Sequence, residues 1–145
     1  MILELIATLC AGLFAGAALY ITLVEHPARL ECGTAIAIIQ FQPSYRRATV
    51  MQASLAAVGC LAGVAAWASG GGAPSLLAGL LLGAIIAFTL IVILPTNRRL
   101  LDPALDRSGS EDASLLTRWG CLHAGRTAGG VAAFLLLALH VAGLL

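Results

Sequence analysis

The chain has 145 residues, of which 60% are hydrophobic and 10% charged, and its mean hydropathy is +0.98. A soluble domain carries about 25% charged residues and a disordered one is polar or highly charged, so both classes are excluded. A net charge of +1 leaves no electrostatic footprint for nucleic acid, and the length fits one small domain whose natural solvent is a bilayer.

All eight basic residues are Arg, and they lie between Arg29 and Arg126. Residues 48–96 carry no Asp, Glu, Lys or Arg, residues 127–145 none either, and residues 1–24 only Glu4. These gaps predict four membrane helices. The first covers 2–24. It has no basic n-region, runs too long for a signal-peptide core and meets no cleavage site, so it reads as a retained span. Residues 31–42 are too short to cross and read as an interfacial helix stopped by Pro43. The uncharged run after it is too long for one crossing, since about 20 residues span the hydrocarbon. It breaks at Ser69-Gly70-Gly71-Gly72-Ala73-Pro74, which gives helices over 44–68 and 74–97. A polar loop over 102–112 precedes the fourth helix, 114–144.

The predicted fold class is therefore all-α, one integral membrane four-helix bundle over 1–145. Arg29, Arg46 and Arg47 in one long connection, and Arg98, Arg99 and Arg107 in the other, put both connections in the cytoplasm and both termini outside. A bacterial-type plasma membrane is the expected location, with lipid as a partner and a homo-oligomer left open.

Each helix carries a glycine pair four residues apart: Gly12/Gly16, Gly59/Gly63, Gly79/Gly83 and Gly125/Gly129. Membrane helices pack through small residues, because lipid gives no hydrophobic drive between them. Following those faces leads to polar residues. Ala11, Ala15, Ala18, Thr22 and Glu25 share one stripe. Tyr45, Thr49, Gln52, Ala56, Gly59 and Gly63 form a second. Gly79 and Gly83 line up with Asn97 if the helix survives Pro95. Trp119, His123, Arg126 and Gly130 fall within about 60° of one another at a 3.6-residue period. The four faces turn polar at one level and together predict a polar pocket near the cytoplasmic surface. Glu25 is the expected partner of Arg126, since an arginine at mid-membrane costs about 2.5–3.5 kcal/mol; a purely structural pair is the competing reading. Cys10 and Cys60 read as packing residues. Cys32 and Cys121 lie where disulfides are rare, and no C-x-x-C signals a metal site.

Three strings carry a resemblance: Val24-Glu25-His26-Pro27-Ala28-Arg29, Leu94-Pro95-Thr96-Asn97-Arg98-Arg99-Leu100, and Trp119-Gly120-Cys121-Leu122-His123-Ala124-Gly125-Arg126. In this order they resemble the anthrone oxygenase-like membrane family, through its P-x-N-x-x-L and W-x3-H-x2-R elements. The resemblance implies a four-helix membrane protein. Characterised members oxidise anthrones to anthraquinones with molecular oxygen, and the positions carried over are Glu25, Asn97, Trp119, His123 and Arg126.

The chemistry of such a substrate agrees with those residue types. An anthrone has an acidic methylene, and its anion passes an electron to oxygen without metal or flavin. The protein then needs a base, a donor for negative charge and an apolar slot. His123 is the expected base, with Arg126 and Asn97 as oxyanion donors and Glu25 orienting His123 or holding Arg126. Trp119 is expected to stack on the rings, with Gln52, Thr22 and His26 completing a site for a small hydrophobic aromatic. No cofactor is predicted beyond dioxygen as co-substrate. Two alternatives stay open: a metal or haem redox protein ligated by His26 and His123, and a non-catalytic carrier or accessory subunit.

Overall fold

A computed structural model of the chain describes residues 1–105 and 110–145; Arg107 of the expected polar loop lies outside the described residues. The architecture is all-helical, with four helices long and apolar enough to cross a membrane: α1 Ile2–Glu31, α2 Thr34–Ala68, α3 Ala73–Leu100 and α4 Ser110–Val141. Each packs along its length on two neighbours, α1 on α2 and α4, and α3 on α2 and α4, with little across the diagonals. Consecutive helices run antiparallel and α4 closes the ring against α1. Leu9, Leu13, Leu61, Leu80 and Ile91 stand exposed on the outside. Such a surface suits lipid rather than water and is compatible with an integral membrane protein.

The bundle has two unlike ends. At one, Met1, the Gly70–Gly72 turn and His140 gather; the His140 Nε2 lies 3.5 Å from the Glu4 carboxylate. Helices meet there through small residues, and a Cβ on Gly63 would fall 2.8 Å from the Ser75 carbonyl and 3.0 Å from the Gly79 Cα. Ala7, Ala11, Ala62, Ala78, Leu82 and Leu137 fill this closed end. The glycine-pair expectation holds best for α2 and α3. Gly16 and Gly125 face open space instead, so they bring no backbones together.

The other end is built from larger side chains: Ile21, Ile38, Phe41, Ile93, Leu116 and Trp119. Here the structure departs from the expected elements. Residues 34–42 are not a separate interfacial helix, because α2 runs unbroken through Pro43 for 35 residues. At 1.5 Å per residue that is about 52 Å, well beyond a hydrocarbon core of about 30 Å. An interior proline costs about 3 kcal/mol, but Ala37, Ile38 and Phe41 on the preceding turns are almost wholly buried. Two large apolar side chains contribute about 1.5–3 kcal/mol each on burial, so packing outweighs the proline, whose ring faces outward.

Two further prolines leave a different trace. A π-helical turn spans Ile21–Glu25, just before Pro27, and another spans Thr89–Ile93, just before Pro95. Each proline lacks the N–H owed to the carbonyl four residues back, and the wider turn absorbs the ring without ending the helix. Each π turn also inserts one residue, which rotates everything after it.

Candidate active site

That rotation decides where the first polar group lands. Ala11, Ala15 and Ala18 all face inward and are buried, and an unbroken helix would carry the line on to Glu25. Past the π turn Glu25 faces α2 instead. Its carboxylate accepts from Arg29, from Ser44 Oγ and from Gln40 Nε2 at 3.0 Å. The expected Glu25–Arg126 pair is therefore absent. Glu25 neutralises Arg29, one helical turn on, and makes no hydrogen bond to His123 among the described residues. The i, i+4 spacing of Glu25 and Arg29 was the sequence signal for this pair.

Arg29 is itself buried. Its guanidinium carbon lies 5.5 Å from the centre of the Phe41 ring and 5.7 Å from that of Trp119. Trp119 is the hub of the level. Its indole N–H donates to Asn97 Oδ1 at 2.8 Å, and Asn97 Nδ2 donates to the Tyr45 hydroxyl at 3.1 Å. The His123 ring stacks on it at 4.7 Å, His26 tilts against it at 5.0 Å and Phe41 meets it edge-on at 5.1 Å. Trp119 thus holds its neighbours in place, and it still borders both the small cavity and the groove between α1 and α4. Asn97 likewise spends its carbonyl on Trp119 and one amide hydrogen on Tyr45. Gly120 makes room for His26, since a Cβ there would fall 2.6 Å from His26 Nε2.

His123 is fixed from its other side. Its Nδ1 lies 3.0 Å from Thr22 Oγ1, and Thr22 Oγ1 lies 2.8 Å from Thr127 Oγ1. Thr127 donates to the His123 carbonyl at 3.0 Å. With that proton committed, Thr22 donates to Thr127 and accepts from Nδ1–H of His123. The assignment leaves Nε2 as the basic nitrogen. Thr22 sets the orientation of His123 and also borders the groove between α1 and α4. Thr127, on the same helix face four residues after His123, is a partner the sequence reading missed.

Arg126 is the remaining charge. It donates to the Gln52 side-chain carbonyl, and its guanidinium carbon sits 5.1 Å from the centre of the Phe14 ring. No carboxylate lies within 4 Å of it among the described residues.

Two openings meet at this residue. A small cavity of about 20 Å³ is bordered by Arg29, Tyr45, Gln52, Asn97, His123 and Arg126, among others. Beside it, a mostly apolar slot of about 200 Å³ runs between α2 and α3, past Phe14, Ala53, Ala56, Ile86 and Leu90. Tyr45, Thr49, Gln52 and Arg126 border both. On the α1–α4 side, Thr22, His26, Trp119 and His123 line an open groove of about 290 Å³. Among the described residues, no three His, Cys, Asp or Glu side chains come together as a metal site would require.

A family model described as anthrone oxygenase matches residues 41–136. The chain belongs to the anthrone oxygenase family. The stretch shared with the anthrone oxygenase model takes in Gln52, Asn97, Trp119, His123 and Arg126 and begins after Thr22, Glu25 and His26. No curated protein and no solved structure matches the chain.

Proposed function

We propose that this anthrone oxygenase family member is a membrane-embedded oxygenase. It oxidises an acidic methylene of a small hydrophobic aromatic substrate to a carbonyl, with dioxygen as co-substrate. The observation that carries this reading is the junction at Arg126. A base, His123, and an uncompensated guanidinium border one small cavity, and an apolar slot of about 200 Å³ lies directly beside it.

Flat rings that partition into lipid enter the slot between α2 and α3. His123 borders the small cavity and not the slot, so its Nε2 takes the methylene proton through one water held where the two meet. The Arg126 guanidinium stabilises the negative charge that develops. The carbanion gives one electron to dioxygen, and the carbon radical and superoxide join to form a C–O bond. The resulting peroxide anion takes the proton back from the imidazolium. Loss of the second C–H proton with O–O cleavage leaves the carbonyl and water. One methylene and one dioxygen are consumed for each carbonyl and water formed.

Isotopically labelled dioxygen supplied to membranes with anthrone tests this balance. The new carbonyl carries one labelled atom and water the other. A carbonyl oxygen drawn from unlabelled water contradicts the reading.

The orientation belongs to the same proposal. The Arg-rich connections both lie at the site end, so that end faces the cytoplasm and both termini face out. A cysteine replacing the exposed Ser69, in a cysteine-free background, is then labelled from the non-cytoplasmic side. Labelling only from the cytoplasm reverses the assignment.

A further inference from the structure

The small cavity and the slot differ tenfold in volume, and the difference sorts their occupants. About 20 Å³ admits a molecule of only a few atoms and excludes an aromatic ring. The slot, about 200 Å³, is where rings fit. Both reach Arg126.

The unpartnered buried polar atoms around the small cavity are one-sided. Three of its lining side chains keep a buried polar atom without a partner: Arg29 Nε, Gln52 Nε2 and Arg126 Nε. All three are donors. The other buried orphans among the described residues, such as Gln40 Oε1 and His26 Nδ1, are not in its lining. The charges are one-sided too. Arg29 is neutralised by Glu25, whereas Arg126 meets only an amide and a ring face. Buried donors left unpaired each cost about 1–3 kcal/mol, and a ligand made only of acceptors satisfies them together. A water in this cavity can give one hydrogen to His123 Nε2 but has a second to place; a small anion has none.

We propose that the cavity is a site for a small oxygen-derived anion, superoxide and then the distal oxygen of the peroxide anion, held by Arg126 with Gln52 and Arg29. Arg126, which borders both openings, serves the substrate anion first and the oxygen-derived anion once the electron has moved. The assignment rests on the oxygenase reading for its ligand, and on charge, orphan donors and volume for its place. One electron passes from the substrate carbanion in the slot to dioxygen in the cavity, and C–O bond formation follows where the two openings meet, beside Tyr45, Thr49, Gln52 and Arg126.

Azide, a small linear monovalent anion, is the probe. The infrared stretch of azide added to the purified protein in detergent shows a shifted, saturable band. Arg126→Met weakens binding at least about tenfold, which is 1.4 kcal/mol. Arg126→Lys, which keeps the charge, restores most of it. Gln52→Leu weakens binding less, since one donor is lost and the guanidinium stays. In steady-state oxidation azide competes with dioxygen and leaves the KM for anthrone unchanged. Three results overturn the inference: no saturable band, equal binding in a folded Arg126→Met protein, or competition with anthrone in place of dioxygen. Anthrone turnover without azide binding sinks this inference alone, whereas azide binding without any turnover upholds the anion site and sinks the oxygenase reading.

Discussion

The two ends of the bundle are joined by different means. At the closed end backbones touch: Gly63 and Gly79 leave no space for a side chain between α2 and α3. At the site end the helices are held apart by Phe41, Tyr45, Trp119 and the hydrogen bonds that join Tyr45, Asn97 and Trp119. Close backbone packing leaves no room for a ligand; aromatic and polar spacers leave cavities. The π turns at Ile21–Glu25 and Thr89–Ile93 lie where one mode gives way to the other, and they turn Thr22, Glu25 and Asn97 toward the spaced end. Single-turn π bulges recur at functional sites for this reason.

Substitutions that treat the ends alike separate them. The largest effect is expected at the closed end. Gly79→Leu drives a side chain into the α2 backbone, since even a Cβ there would sit 3.0 Å from the Cys60 carbonyl. The expected loss is on the order of 3 kcal/mol or more, seen as a collapse of Tm in detergent. Gly125→Leu, which meets nothing within 4 Å, leaves Tm unchanged. Equal Tm values for the two variants remove the distinction between the ends.

Next come the two arginines of the site end. Arg29→Met takes the cation from Glu25, which is part-buried and keeps Ser44 and Gln40 as donors, and costs up to about 3 kcal/mol; adding Glu25→Gln recovers part of that loss. Arg126→Met strands no carboxylate, so it folds with stability near the parent's and loses oxidation activity. Denaturation and oxygen uptake measured on the same three proteins check both statements. A stability loss at Arg126 as large as at Arg29 makes Arg126 scaffold. Smaller again is Trp119→Phe. It removes the donor to Asn97 Oδ1 and costs about 1–3 kcal/mol, while the ring still packs on His123. A folded Trp119→Phe protein with substrate affinity lost and stability intact returns Trp119 to a substrate-stacking role.

How far the sequence carried the fold follows from the same physics. Charge gaps and the glycine-proline break located four spans, because hydrophobicity and turn chemistry are local properties. The convergence of Trp119, His123 and Arg126 on one face was legible from helical period, since α4 keeps that period throughout; Asn97 lies past the π turn of α3 and joins them through its hydrogen bond to Trp119. The Glu25–Arg126 pair was not. Its inference assumed an unbroken 3.6-residue repeat through α1, and the π turn before Pro27 changes the phase. Pro27 and Pro95 were the available signals that the period would shift. The continuity of α2 through Pro43 was hidden too, because it depends on the burial of Ile38 and Phe41 by other helices. Which face of Trp119 is free is likewise a tertiary fact.

The central claim is that His123 is the base of this site and the closed end only scaffold. The direct measurement is oxygen consumption with anthrone in membranes, comparing the parent with folded His123→Ala. No buried carboxylate is stranded by that change, so the variant is expected to keep its fold. Loss of a positioned base lowers the rate about 10²–10⁴-fold. The account predicts that loss, with quinone formation falling in step with oxygen uptake. Full activity in the folded His123→Ala protein contradicts it.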